Sequence, residues 1–186
     1  KDLTLDAGDF DVTGTVVIPQ GYKLTIADGT TLRGPASGVI LADGGTLQVN
    51  GGAFHNDLRI RFGDPAAATP TGTGWVKNAS FTGTPEVEIR GEGSHFELLG
   101  NTGLRVVAHG SNTVLLTGNV GGGLVHVFGN TIATIDYNYG LDVLLHDKSK
   151  AVIENNLEIG VRLYDEAWAK IEKNAYVNLL FADDRS

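Results

Sequence analysis

The sequence predicts an all-β chain wound into a single right-handed parallel β-helix, on three observations. Asparagines recur at Asn101, Asn119, Asn138, Asn156 and Asn174, one every 18 or 19 residues. Apolar residues fall into columns that hold the same phase through those repeats. Gly supplies 26 of the 186 residues without a collagen-like period, which suits many tight turns between short strands. A repeat of this kind outranks local propensity, because each unit buries its apolar face only by stacking on the next.

The first strand of each repeat carries Val106, Val125, Val143, Val161 and Leu179 in one column. Two residues on stand Ala108, Val127, Leu145, Leu163 and Phe181. A spacing of two puts both columns on the same face of a strand, here the inner one. A Gly or Asp turn follows at Gly110, Gly129, Asp147 and Asp165. The second strand then supplies Val114, Ala133, Ala151 and Ala169, and, two on, Leu116, Ile135, Ile153 and Ile171. A third, weaker strand is expected after each Asn, around Ile159 and Val177. Residues 161–174 hold helix formers (Glu166, Ala167, Ala169), but the repeat frame overrules them.

The Asn column bears on handedness. A left-handed β-helix repeats an apolar residue every six positions, and no such hexapeptide runs through these columns. A buried Asn at a bend satisfies backbone groups and bonds its counterparts above and below, using all four of its hydrogen-bonding sites. With this ladder and these columns, the sequence resembles the pectin-lyase-like family of right-handed β-helices, which carry such ladders at one turn. The resemblance is architectural and covers most of the chain. Among β-helices, the short regular turns are closest in character to phage tail-spike and fibre shafts or bacterial surface adhesins.

The N-terminal part is less regular. Leu24 and Ile26 alternate before Asp28-Gly29, and Leu47 and Val49 before Asn50-Gly51-Gly52; Val87, Ile89, Phe96 and Leu98 lead into Asn101. One domain is expected over 1–186, with irregular coils at 1–62, a projecting loop at 63–74 (GDPAAATPTGTG) and regular coils at 75–186.

Composition excludes several classes. With 14 basic and 22 acidic residues the net charge is −8, which lacks the positive footprint of a nucleic-acid binder. No apolar run approaches the roughly 20 residues of a membrane span, so no membrane insertion is expected. The absence of Cys removes disulfides and thiolate metal sites. The absence of Met, even at position 1, reads as a processed or trimmed product. Gly121-Gly122-Gly123 lies between two strand repeats with no helix to hold a phosphate. No cofactor is expected.

Three groups of residues attract a functional reading. His109, Phe128, His146 and Tyr164 stand ten residues before successive ladder Asn, flanked by His126 and Arg162. Stacked at the roughly 4.8 Å rung of a parallel sheet, they would form an aromatic strip. Such a strip suits contact with a protein partner or stacking on a sugar, unless another part of the chain covers it. Asp136, Glu154 and Glu172 form one carboxylate column, and Asp147, Asp165 and Asp183 another. The first is the alternative catalytic pair set and the second the alternative metal site for a hard cation such as Ca²⁺; turn capping and nearby Lys side chains are the structural alternative. His55, Asp57, Arg59 and Arg61, with Asn56 and Asp64, form a polar cluster suited to a groove for an acidic sugar, or to a turn and a solvated strand face.

The resemblance carries over no catalytic residues. The lyase branch of that family has a Trp-Ile-Asp-His strand motif and a catalytic arginine, the hydrolase branch paired aspartates and a Gly-His-Gly. This chain has only Ala108-His109-Gly110. The expected function is therefore a non-enzymatic structural and recognition solenoid, a phage-tail or cell-surface module contacting a glycan or a protein. It is expected outside the cell or on a virion, as a homotrimer or beside an adjoining domain. The alternative is a polysaccharide-active enzyme, a glycoside hydrolase or lyase. Ice binding is excluded because the outward column of Thr113 continues as Ile132, Lys150 and Trp168, not as a threonine array.

Overall fold

The computed structural model describes residues 1–34, 38–63 and 72–181. The chain is a parallel β-solenoid with no helix among the described residues. Its first sheet stacks Asp2–Leu5, Lys23–Ile26, Thr46–Asn50, Thr73–Lys77, Glu92–Leu99, Ser111–Thr117, Ile132–Asp136, Lys150–Glu154 and Trp168–Glu172 in chain order. The second sheet stacks Thr15–Pro19, Val39–Asp43, Arg59–Phe62, Glu86–Ile89, Val106–Ala108, Val120–Val127, Tyr139–Leu145, Leu157–Leu163 and Ala175–Phe181. A short third sheet of Gly8–Asp11, Thr30–Gly34, Ala53–Asn56 and Ser80–Gly83 closes the N-terminal coils.

The change in turn length explains why the third sheet fades. Leu47 pairs with Gly74, 27 residues on, whereas Ile153 pairs with Ile171, only 18 on. The shorter turns have no residues to spare for a separate third strand. Its place is taken by the bridge from Ser80 to Thr102 to Val120, and by the opening residues of the long second-sheet strands. The weak strand expected after each Asn is thus the start of a second-sheet strand.

The inward columns are those expected from alternation. Val106, Val125, Val143, Val161, Ala108, Val127 and Leu145 are buried, as are Val114, Ala133, Ala151, Leu116, Ile135 and Ile153. The last turn is looser: Leu163, Ala169 and Ile171 are half-buried, and Leu179 and Phe181 are 42% and 70% exposed. The wider N-terminal coils hold two aromatic pairs, Phe54 stacked on Phe81 at 5.1 Å and Phe62 tilted against Phe96 at 4.8 Å between ring centroids. Gly74 makes room for the second pair: a Cβ there would lie 1.8 Å from the Leu47 carbonyl oxygen and 3.1 Å from the Phe62 ring. Of the loop expected at 63–74, Thr73 and Gly74 lie in a first-sheet strand, and 64–71 fall outside the described residues.

The asparagine ladder is present and buried. Oδ1 of Asn119 accepts from the backbone N–H and Nδ2 of Asn101, both at 3.0 Å. The same double bond joins Asn119 to Asn138, Asn138 to Asn156 and Asn156 to Asn174. Each Nδ2 also donates to a carbonyl one turn earlier, those of Val76, Leu98, Leu116, Ile135 and Ile153. The residue before each rung holds a left-handed backbone: Gly100, Gly118, Tyr137, Asn155 and Lys173, with φ between 54° and 68°. That bend aims the Asn inward; it is a second column, hidden in the sequence because what repeats is a conformation and not a residue type.

Candidate functional site

The outer face of the second sheet carries the aromatic strip. His109, Phe128, His146 and Tyr164 stack with centroid spacings of 4.6, 4.5 and 4.5 Å and interplanar angles of 9°, 10° and 2°. His126 leans on both Phe128 and His146 at 5.8 Å. The rungs of the solenoid impose this near-parallel array. Its consequence is that the ring faces meet one another, so a ligand along the strip meets ring edges. Stacking of a sugar on these faces is correspondingly restricted, whereas imidazole nitrogens and the Tyr164 hydroxyl lie at the edges. All five rings are half-buried.

Burial lowers the proton affinity of His109, and Arg90 lowers it further, while Glu88 and Asp147 act in the opposite sense. Burial lowers that of His126 as well, followed by His146, Arg105 and His109. Both are therefore held neutral near pH 7. Arg162 stands one rung from Leu144 in the column Arg61, Glu88, Val107, His126, Leu144, Arg162, and is exposed.

The same face continues toward the N-terminus into a charged hollow. A cleft of about 420 Å³ is lined by Val39, Asp57, Arg59, Thr84, Glu86 and Arg105. A second, of about 290 Å³, shares Glu86 and Arg105 and runs past Val107, Leu124, His109, His126 and Phe128. Together they make a groove across several rungs. Of the polar cluster read from the sequence, Asp57 and Arg59 line it; Thr84 Oγ1 donates to Asp57 Oδ1. Arg61 lies behind, donating through Nε to Glu88 Oε2 at 2.6 Å. His55 is elsewhere, on the third sheet in register with Arg33 and Thr82. Asp64 lies outside the described residues.

Glu88 is the residue that sequence reasoning missed. Its side chain is only 4% exposed and is met by Arg61 Nε at 2.6 Å, Arg90 Nε at 3.3 Å and Arg59 Nη1 at 3.6 Å. Burial raises its proton affinity, but the Arg61 hydrogen bond and the charges of Arg61 and Arg90 outweigh it, so Glu88 is held below the usual carboxylate range. Glu86, two residues away and within hydrogen-bonding reach of Glu88, is displaced upward by burial and by the Glu88 charge, against the pull of Arg59 and Arg105. Alternating Glu86 and Glu88 on one strand was a signal available in the sequence, as was Arg90 two residues on; Arg59 and Arg61 came from another turn.

The two carboxylate columns are engaged within the coil. Asp136, Glu154 and Glu172 are in register on the first sheet. Asp136 accepts from Asn155 Nδ2 at 2.9 Å, and Lys170 Nζ lies 3.0 Å from Glu172 and 3.7 Å from Glu154. Asp147 and Asp165 occupy left-handed turn positions with φ of 58° and 56°. Their carboxylates accept from the N–H one turn earlier, Gly129 to Asp147 at 2.9 Å and Asp147 to Asp165 at 3.2 Å. Asp183 lies outside the described residues. Among the described residues no three His, Asp or Glu side chains gather around a common metal position.

An exposed apolar row also escaped sequence reasoning. Val120, Tyr139 and Leu157 are in register immediately after the ladder, each 41–45% exposed.

No protein-family model, curated protein or solved structure matches the chain.

Proposed function

We propose that this chain is a non-enzymatic recognition solenoid that holds an extended glycan in the groove on the outer face of its second sheet. The observation that carries this reading is the groove itself: two adjoining hollows that share Glu86 and Arg105, polar at one end and edged by His109, His126 and Phe128 at the other. Guanidinium and carboxylate groups on strands, backed by a continuous core, are held in place before a ligand arrives, and this limits the ordering cost of binding. A module of this kind fits a phage-tail or cell-surface setting, by analogy of architecture. A glycan array followed by calorimetry tests it: wild type retains a glycan, and Arg105→Ala loses at least about tenfold in affinity, the 1.4 kcal/mol of one charge-assisted hydrogen bond. Binding unchanged by Arg105→Ala, or no binding to any glycan, overturns the reading.

A side-by-side trimer through the aromatic strip would occupy the same face. The mutual stacking of the rings leaves it less support than the groove has; light scattering at micromolar concentration separates the two.

The second reading, a polysaccharide-active enzyme, is favoured by Glu86 and Glu88, two carboxyls with opposed proton affinities beside a cleft. Release of reducing or unsaturated ends from a bound glycan, abolished by Glu86→Gln, would establish it.

A further inference from the structure

We propose that the Arg59–Arg105 end of the groove is an oxyanion site whose occupancy is coupled to a proton on Glu86. The inference rests on the glycan-binding reading above and specifies which chemical group enters that end.

Charge is distributed unevenly over this protein. The chain as a whole carries −8, yet Arg59 and Arg105 line this one hollow, and Arg61 and Arg90 meet Glu88 beside it. Facing them are Asp57, Glu86 and Glu88. Glu88 is enclosed by Arg59, Arg61 and Arg90. Arg105 forms no ion pair among the described residues, and Arg59 reaches Glu88 only at 3.6 Å, with its side chain 53% exposed. Two guanidinium groups are thus available at the cleft wall, and a guanidinium fork matches a carboxylate or sulfate.

The proton follows from hydrogen-bonding capacity. Glu86 and Glu88 stand two residues apart on the outer face of one strand, in register with Arg59 and Arg61, and two ionised carboxylates side by side offer only acceptors and repel. One of them must carry a proton for the contact to be favourable. Glu88, with three arginines on it, keeps its charge, so Glu86 is the carboxylate that takes up the proton. The groups facing Glu86 are Glu88, Arg59 and Arg105, with Asp57 in the same hollow and His109 and His126 in the adjoining one. With Glu86 neutral, an arriving oxyanion meets two cations and one remaining carboxylate, Asp57. With Glu86 ionised, it meets a second negative charge. Binding therefore takes up a proton, and affinity rises as pH falls through the range where Glu86 titrates.

The test uses the full chain and three probes of one oligosaccharide backbone: neutral, uronate-bearing and sulfated. The sulfate ester stays ionised throughout, so any pH dependence in that arm belongs to the protein. Calorimetry from neutral pH down toward the ordinary carboxylate value of 4.5 should show sulfate affinity rising, by at most tenfold per pH unit, the limit for uptake of one proton. Two buffers of different ionisation enthalpy at one pH should report fractional proton uptake. Glu86→Gln keeps a neutral hydrogen-bonding group and should abolish the pH dependence when compared in a His109→Gln/His126→Gln background, where neither imidazole contributes. The inference is overturned by a sulfate affinity that is flat with pH in wild type, by pH dependence that survives Glu86→Gln in that background, or by neutral sugar binding as tightly as sulfated. In that last case the glycan-binding reading stands; it fails only when all three probes fail to bind. A cooperative melt for Glu86→Gln, with a midpoint at or above that of wild type, guards against a folding defect.

Discussion

Replacing Asn138 by Ala removes one rung from the middle of the ladder. Asn138 Oδ1 accepts from the backbone N–H and Nδ2 of Asn119, both at 2.9 Å. Its Nδ2 donates to the carbonyls of Leu116 and Asp136 and to Asn156 Oδ1, each at 3.0 Å. Truncation strands two donors of Asn119 and weakens two carbonyls inside a wall that is 2% exposed at this residue. A buried group left without its partner costs about 1–3 kcal/mol, and carbonyls with a second lone pair suffer least, so the sum is about 3–5 kcal/mol. Asn174→Ala is the control. Its Oδ1 serves Asn156 in the same way, but it is half-buried, and water replaces part of what is lost; about 1–2 kcal/mol is expected. Urea denaturation at constant m-value measures both. Equal costs for the two variants, or a loss under 1 kcal/mol for Asn138→Ala, would refute the idea that the ladder stabilises through burial.

Gly74→Ala should destabilise by at least about 2 kcal/mol, since the new methyl collides with the Leu47 carbonyl, while Gly14→Ala, with open space around it, stays within about 0.5 kcal/mol; thermal melts compare them. Phe128→Ala should cost about 2 kcal/mol by opening the stack between His109 and His146, read by the same melts. The depressed Glu88 contributes stability that is present above the usual carboxylate value of 4.5 and is lost as pH falls below it, so Glu88→Gln should flatten the acid limb of a stability–pH curve. Glu86 runs the other way: its raised value means stability is lost as pH climbs above 4.5, and Glu86→Gln should be more stable than wild type at neutral pH.

Where the turns are short, much of the fold was legible. Asn101, Asn119, Asn138, Asn156 and Asn174 each perform the same bonding task with the same side chain, so position and chemistry repeat together. Val106 to Val161 and Leu116 to Ile153 do likewise, because a buried column tolerates only apolar residues of similar size. The left-handed column was not legible: Gly100, Tyr137 and Lys173 share only a backbone angle. The third sheet was missed because its strands lie on turns of unequal length, so that the one side chain repeated between Ala53–Asn56 and Ser80–Gly83, Phe54 and Phe81, recurs at 27 residues and not at the ladder's 18 or 19. For the site, the stacking of His109, Phe128, His146 and Tyr164 followed from their phase. The closing of their ring faces on one another needed the dihedral geometry. Arg61 and Glu88, 27 residues apart, come together through the longest turn, which no fixed period would have found.

Amide hydrogen exchange with and without a bound glycan tests the groove most directly. Protection should rise in Arg59–Phe62, Glu86–Ile89 and Val106–Ala108, which carry or flank the groove, and stay unchanged in Ile132–Asp136 and Lys150–Glu154 of the first sheet. Protection centred instead on those first-sheet strands, with the second sheet unaltered, would contradict the assignment of this face as the ligand site.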